Sequence, residues 1–233
     1  YLAIFSSALW ALHPFFVSTT LYVVQRMAML PLLFSLLGLI LYFHGRRIVN
    51  SQPTRAAYFY MFCGIYGMTV LAMLSKENGV LLIFYIGLFE CFVCRKYLKF
   101  NGLSNKAKWL LIGLPVVALI VALLFMIPGY SEGYDSRPYS LVERLLTETR
   151  VLSQYLYHLF FPSSFTAGVF GNGLEQSYGL FNPISTFISA VFLTVILVLA
   201  WCFRNRYPLM SFAVFFFFTA HILESTFVPL DFY

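Results

Sequence analysis

Apolar stretches about 17–22 residues long repeat along the whole chain, each long enough to cross a hydrocarbon core of roughly 30 Å. The loops between them alternate in charge. One set carries Arg46, Arg47, Arg55, Arg95, Lys96, Lys99, Lys106, Lys108, Arg204 and Arg206; the other carries Arg26, Lys76, Arg137, Arg144 and Arg150. Ten basic residues face five, so the positive-inside rule places the first set in the cytoplasm. The acids Glu77, Glu132, Asp135, Glu143, Glu148, Glu175, Glu224 and Asp231 then lie outside, and only Glu90 falls near the inner side. A polar site in such a chain is expected to face outward.

Composition agrees with a membrane protein. The chain is 61% hydrophobic and 10% charged, against about 25% charged residues in soluble domains, and its mean hydropathy is +0.82. Lipid admits only helices or closed barrels, because every backbone polar group must be satisfied internally. The apolar runs are continuous rather than alternating, which selects helices. The net charge of +6 sits in loops that topology already explains, so it is no sign of nucleic-acid binding. Cys63, Cys91, Cys94 and Cys202 lie in or beside apolar runs and read as small core residues; Cys91-Phe-Val-Cys94 has neither a second pair nor a nearby histidine.

The pattern predicts an all-α polytopic protein forming one transmembrane domain over 1–233. Seven spans are expected, at about 1–20, 27–44, 56–75, 79–94, 109–128, 183–203 and 208–224. Both ends look cut, as in a piece of a longer protein. The stretch 129–182 is the only long non-spanning segment and is expected on the periplasmic or lumenal side. Within it, Ser140 with Glu143 three residues on matches a capping box. An amphipathic helix over about 140–161 follows, with Leu141, Leu145, Leu152, Leu156 and Leu159 near one face and the charges opposite.

Charged groups near membrane depth are costly and mark functional candidates. They gather at the predicted outer helix ends: His13, Arg26, Lys76, Glu77, Arg150, His221, Glu224 and Asp231. Outward Arg, Lys and His suit the phosphates of a lipid-linked donor, and an outward acid suits general-base attack by an acceptor hydroxyl. His221 and Glu224, three apart, would share a helical face, but no further ligand stands at readable spacing, so no metal site is expected. The run Phe215–Phe218 reads as lipid-facing or core.

Four stretches in order, 12–30 (LHPFFVSTTLYVVQRMAML), 74–78 (LSKEN), 143–152 (ERLLTETRVL) and 221–230 (HILESTFVPL), resemble the membrane region of bacterial tetratricopeptide-repeat membrane proteins related to the transmembrane TPR O-mannosyltransferases, of the GT-C glycosyltransferase class. The resemblance implies a GT-C-like helical bundle in a bacterial inner membrane. It implies a polyprenyl-phosphate sugar as donor, no other cofactor, and transfer on the outer face to a protein or other acceptor. His13, Gln25, Arg26, Lys76, Glu77, Arg150 and Glu224 are the positional candidates for donor or acceptor binding. The family's catalytic base is expected in an acidic first outer loop preceding the region matched by 1–20, so no catalytic residue is assigned. Ser18 stands where many relatives carry an acid or Gln, and Ala28 where some carry Asp. Two alternatives stay open: a non-catalytic membrane subunit or scaffold packed against a partner complex, and a transporter or channel, for which Pro31 and Pro115 are the few helix-breaking signals.

Overall fold

The computed structural model describes residues 1–16, 26–94, 103–131, 134, 137–161 and 175–226, without the side chains at 15, 26, 127, 128, 130 and 131. Of these residues 82% are helical and none forms a strand. Among the described residues eight helices run in chain order: α1 Leu2–Leu12, α2 Arg26–Ser51, α3 Arg55–Ser75, α4 Glu77–Cys94, α5 Asn105–Met126 (continuing helical to Ser131), α6 Leu141–Phe160, α7 Ile184–Cys202 and α8 Pro208–Ala220. Five of them, α2 from Met27, α3, α4, α5 and α7, are long and apolar enough to cross a membrane. The chain therefore has the helices of an integral membrane protein.

The first and last of the seven expected spans are shorter than the apolar runs that suggested them. Helix α1 stops at Leu12, because Pro14 lacks an N–H and forces the preceding His13 into extended backbone at φ −67°, ψ 125°. Helix α8 stops at Ala220, and 221–226 form turns. Helix α2 instead continues through Arg46 and Arg47 to Ser51, seven residues past the expected end, since a helix loses nothing by running on into the polar region.

By contacts the chain divides into two compact units. One comprises Met27–Pro128 and Ile196–Leu223; the other comprises Tyr1–Arg26, Gly129–Val195 and Glu224–Tyr233. The first unit has its core along α2, α3 and α4, with Tyr42, Val49, Met61, Ile65, Leu82 and Ile86 buried. Small residues set how closely α2 and α3 approach. A Cβ on Gly38 would meet the Gly64 carbonyl oxygen at 2.7 Å, and one on Gly45 would meet the Ala57 carbonyl oxygen at 2.6 Å. Gly38 and Gly45 are seven apart, as are Ala57 and Gly64, so the two pairs form one antiparallel seam. Backbones in lipid pack through such small residues because no water drives the helices together. Helix α8 packs on α4 through rings: Tyr85 with Phe216, Phe89 with Phe212 and Phe92 with Phe215. The phenylalanine run is thus half-buried packing. The Ser211 hydroxyl donates to the Ala200 carbonyl at 2.7 Å, closing the turn between α7 and α8. Of the cysteines Cys94 is buried and Cys63 half-buried, whereas Cys91 and Cys202 are exposed, against the expectation of four core residues.

One charge cluster lies inside this unit. Arg46 has no exposed surface and clasps Glu90 bidentately, Nη2 to Oε1 at 2.6 Å and Nε to Oε2 at 3.1 Å, while the Tyr42 hydroxyl donates to Oε2 at 3.0 Å. Tyr42 and Arg46 are four apart on α2, and Glu90 opens a π-helical turn in α4. Arg46, read from sequence as a loop cation, is an interior ion-pair partner. A charge on an apolar helix is retained where a fork-shaped partner meets it.

Candidate functional site

The other unit is built on α6. Ser140, in extended backbone, accepts the Glu143 N–H, and the Glu143 carboxylate accepts the Ser140 N–H at 2.7 Å. This is the capping box that the sequence announces, and it satisfies two of the donors a helix start leaves open. The two hydrogen bonds from Ser140 hold the Glu143 carboxyl below the usual glutamate range.

The helix occupies Leu141–Phe160, within a residue of expectation, and turns part of its charged face inward. Arg144, Thr147, Glu148 and Val151 are buried, while Val142 is 65% and Leu145 41% exposed. A water-soluble protein would turn the leucines inward. Beside helices that suit a bilayer, lipid can solvate the apolar face, so the polar face turns inward and pairs within itself.

Those inward groups form a network. Arg144 Nη2 forms an ion pair with the Glu148 carboxylate at 3.2 Å and donates to the Glu224 carbonyl at 2.8 Å. Glu148 lies above the usual glutamate range: burial raises it most, and the neighbouring Glu224 charge adds to this. Arg144 and the Ser225 hydroxyl oppose the shift without cancelling it. The Tyr155 phenol is pushed up to about 12 by burial and by Glu148 and Glu224, so it is neutral at physiological pH. The Thr147 hydroxyl donates to the Glu143 carbonyl and accepts the Ser177 N–H at 2.9 Å. Ser177 shares a hydrogen bond of 2.8 Å with Thr186 at the start of α7. Arg150 Nη1 donates to the Glu175 carbonyl at 2.6 Å and to Ser177 Oγ at 3.3 Å. His13 Nε2 donates to the Leu159 carbonyl at 3.0 Å.

Of the sequence candidates, this unit holds His13, Arg150 and Glu224. Glu224 takes part through its backbone carbonyl and the field of its carboxylate, not from a helix shared with His221, since α8 has already ended. His221 bonds the Phe217 carbonyl at 2.8 Å. Lys76 and Glu77 belong to the other unit, where extended Lys76 and a 3-10 turn from Glu77 make the expected tight connection between α3 and α4. Gln25 and the Arg26 side chain lie outside the described residues. No cluster of three metal-ligating side chains occurs among the described residues.

Arg144 and Glu148 are the site residues that sequence reasoning passed over. Their signal was present: an Arg and a Glu four apart, in register with Thr147 and Val151 at i, i+3, i+4, i+7 spacing. A carboxyl displaced upward beside a guanidinium and a neutral phenol can take a proton from a hydroxyl and return it. No family model matches the chain, and no curated protein or solved structure matches it either.

Proposed function

We propose that the chain is the membrane region of a GT-C-like glycosyltransferase, moving a sugar from a polyprenyl-phosphate donor to a protein or other acceptor on the extracytoplasmic face. The observation that carries this reading is the buried Arg144–Glu148 couple on α6, in the segment that charge distribution assigns to the outside. Glu148 is the acid whose raised proton affinity suits deprotonation of an acceptor hydroxyl as it attacks the sugar's anomeric carbon. Arg144 keeps that carboxylate oriented, and Tyr155 supplies a neutral donor beside it. The resemblance of four ordered stretches to bacterial tetratricopeptide-repeat membrane proteins related to the transmembrane TPR O-mannosyltransferases supports the same reaction class, and the inner bacterial membrane is the location it implies.

The test is sugar transfer from a panel of polyprenyl-phosphate sugars by membranes carrying the full-length gene product. Glu148→Gln keeps shape and removes the base; it should lower turnover by about 10²–10⁴-fold while the protein still inserts and melts cooperatively. Turnover unchanged in Glu148→Gln removes the acid from the mechanism. One observation favours the alternative of a non-catalytic subunit: Arg144 links Glu148 to the Glu224 carbonyl, as in a static strap. On that reading wild type transfers nothing from any donor, co-purifies with a stoichiometric partner, and Glu148→Gln affects melting alone.

A further inference from the structure

A second polar feature of the α6 unit is independent of the reaction. Arg150, Ser153, Gln154 and Tyr157 stand at i, i+3, i+4 and i+7 on α6, and with Ser185 and Ser189 on α7 they line an open groove of ≈ 240 Å³. The lining contains a guanidinium, three serine hydroxyls, an amide and a phenol, and no carboxylate. Both hydrogen bonds of Arg150 run through Nη1, which leaves Nε and Nη2 without a partner among the described residues. A cation surrounded by neutral donors, with no acid to neutralise it, is the chemistry that holds a phosphate.

The surroundings of the groove are apolar. On α6 the stripe runs into Phe160 and Phe161, 73% and 63% exposed, with the Tyr157 and Phe161 rings stacked at 5.3 Å. On α7 the two serines alternate with Ile184 and Ile188, 57% and 62% exposed. Ser185 and Ser189 occupy the first turns of a helix apolar enough to cross a membrane, the depth at which headgroups lie. A free anion would use the groove alone, whereas an amphiphile uses the groove and its apolar margin together.

We propose that the groove between α6 and α7 binds the phosphate headgroup of a membrane lipid, with Arg150 on the phosphate and the Ser185 and Ser189 hydroxyls beside it. The site needs no glycosyl transfer, so it stands whether or not the chain is a transferase. The purified full-length protein is tested by native mass spectrometry with phosphatidylglycerol, polyprenyl phosphate, inorganic phosphate and diacylglycerol as separate probes. Retention of phosphatidylglycerol is the expected result, falling roughly tenfold or more in Arg150→Gln and in Ser189→Phe, which fills the groove. Arg204→Gln, at a cation on the other unit, should bind as wild type does. Arg150 also ties down 175–177, so Ser189→Phe, monitored by thermal melting, keeps the test valid if Arg150→Gln does not fold. Polyprenyl phosphate retained in place of phosphatidylglycerol supports the site and names the polyprenyl carrier as its lipid; displacement by inorganic phosphate supports a headgroup-only contact. Diacylglycerol bound as well as the phosphate lipids, or both variants binding as wild type, overturns the proposal.

Discussion

At the scale of single residues, two acids held in ion pairs behave differently. Glu90 is clasped by Arg46 and Tyr42, so removing it strands a buried guanidinium. Glu90→Leu should cost about 3–5 kcal/mol, and the double change Arg46→Met with Glu90→Leu should recover most of that, since the apolar pair has no charge to desolvate. Melting of the two variants in one detergent compares them, and equal losses would mean that the pair is not what stabilises this region. Glu148 tests through pH. Its folded-state proton affinity lies above its unfolded one, so its contribution to stability is full below the ordinary glutamate range and is lost as pH rises through the raised value. Wild type should therefore lose melting temperature on that rise and Glu148→Gln should lose less. A wild type flat over the window would contradict the assignment. Glu143 acts oppositely and at lower pH: its hydrogen-bonded carboxylate supports the α6 start above the ordinary range and is lost on acidification.

At the scale of elements, the seam between α2 and α3 and the inward polar face of α6 follow from one cause, the absence of water around apolar helices. At the seam, close backbone approach substitutes for hydrophobic drive. Gly64→Ala places a Cβ 2.7 Å from the Gly38 carbonyl oxygen, whereas a Cβ on Gly67, three residues on, meets nothing within 4 Å. Gly64→Ala should destabilise by about 1–3 kcal/mol, and Gly67→Ala should be neutral or stabilising by up to about 1 kcal/mol. Melting of both variants decides it, and equal behaviour would remove the seam as a packing constraint. Both helix-start signals of α6, the capping serine and Glu143, were legible because capping is local chemistry. The inward face was not, because a helical wheel shows two faces and is silent about which solvent each will meet.

At the scale of the whole molecule, five helices among the described residues suit a bilayer and the loops carry charge asymmetrically. The proposed orientation predicts the reactivity of cysteines introduced into a variant freed of Cys91 and Cys202. Cysteine at Ser51 or Asn205 should react with an impermeant maleimide only after the membrane is opened, and cysteine at Glu175 or Tyr178 should react in intact cells. The reverse pattern would place α6 in the cytoplasm and end the extracytoplasmic transferase reading. The count of seven spans rests on composition, whereas α1 and α8 as folded are 11 and 13 residues long. Composition counts apolar residues without asking whether one hydrogen-bonded helix contains them, and Pro14 is where the two measures part.

By itself the sequence determined the helical class, the long apolar helices, the capping box and the position of α6, because each depends on residues within a few turns of one another. His13, Arg150 and Glu224 were nominated by charge at helix ends, and the fold does gather them in one unit. Tertiary structure alone decided what each polar group meets. It gave Arg46 to Glu90 across 44 positions, Arg144 to the Glu224 carbonyl across 80, and Arg150 to the 175–177 segment and the groove it lines. A charge near a membrane must find a partner, but its own neighbourhood in sequence does not say which one, because partners are chosen by helix packing over distances that no local pattern encodes.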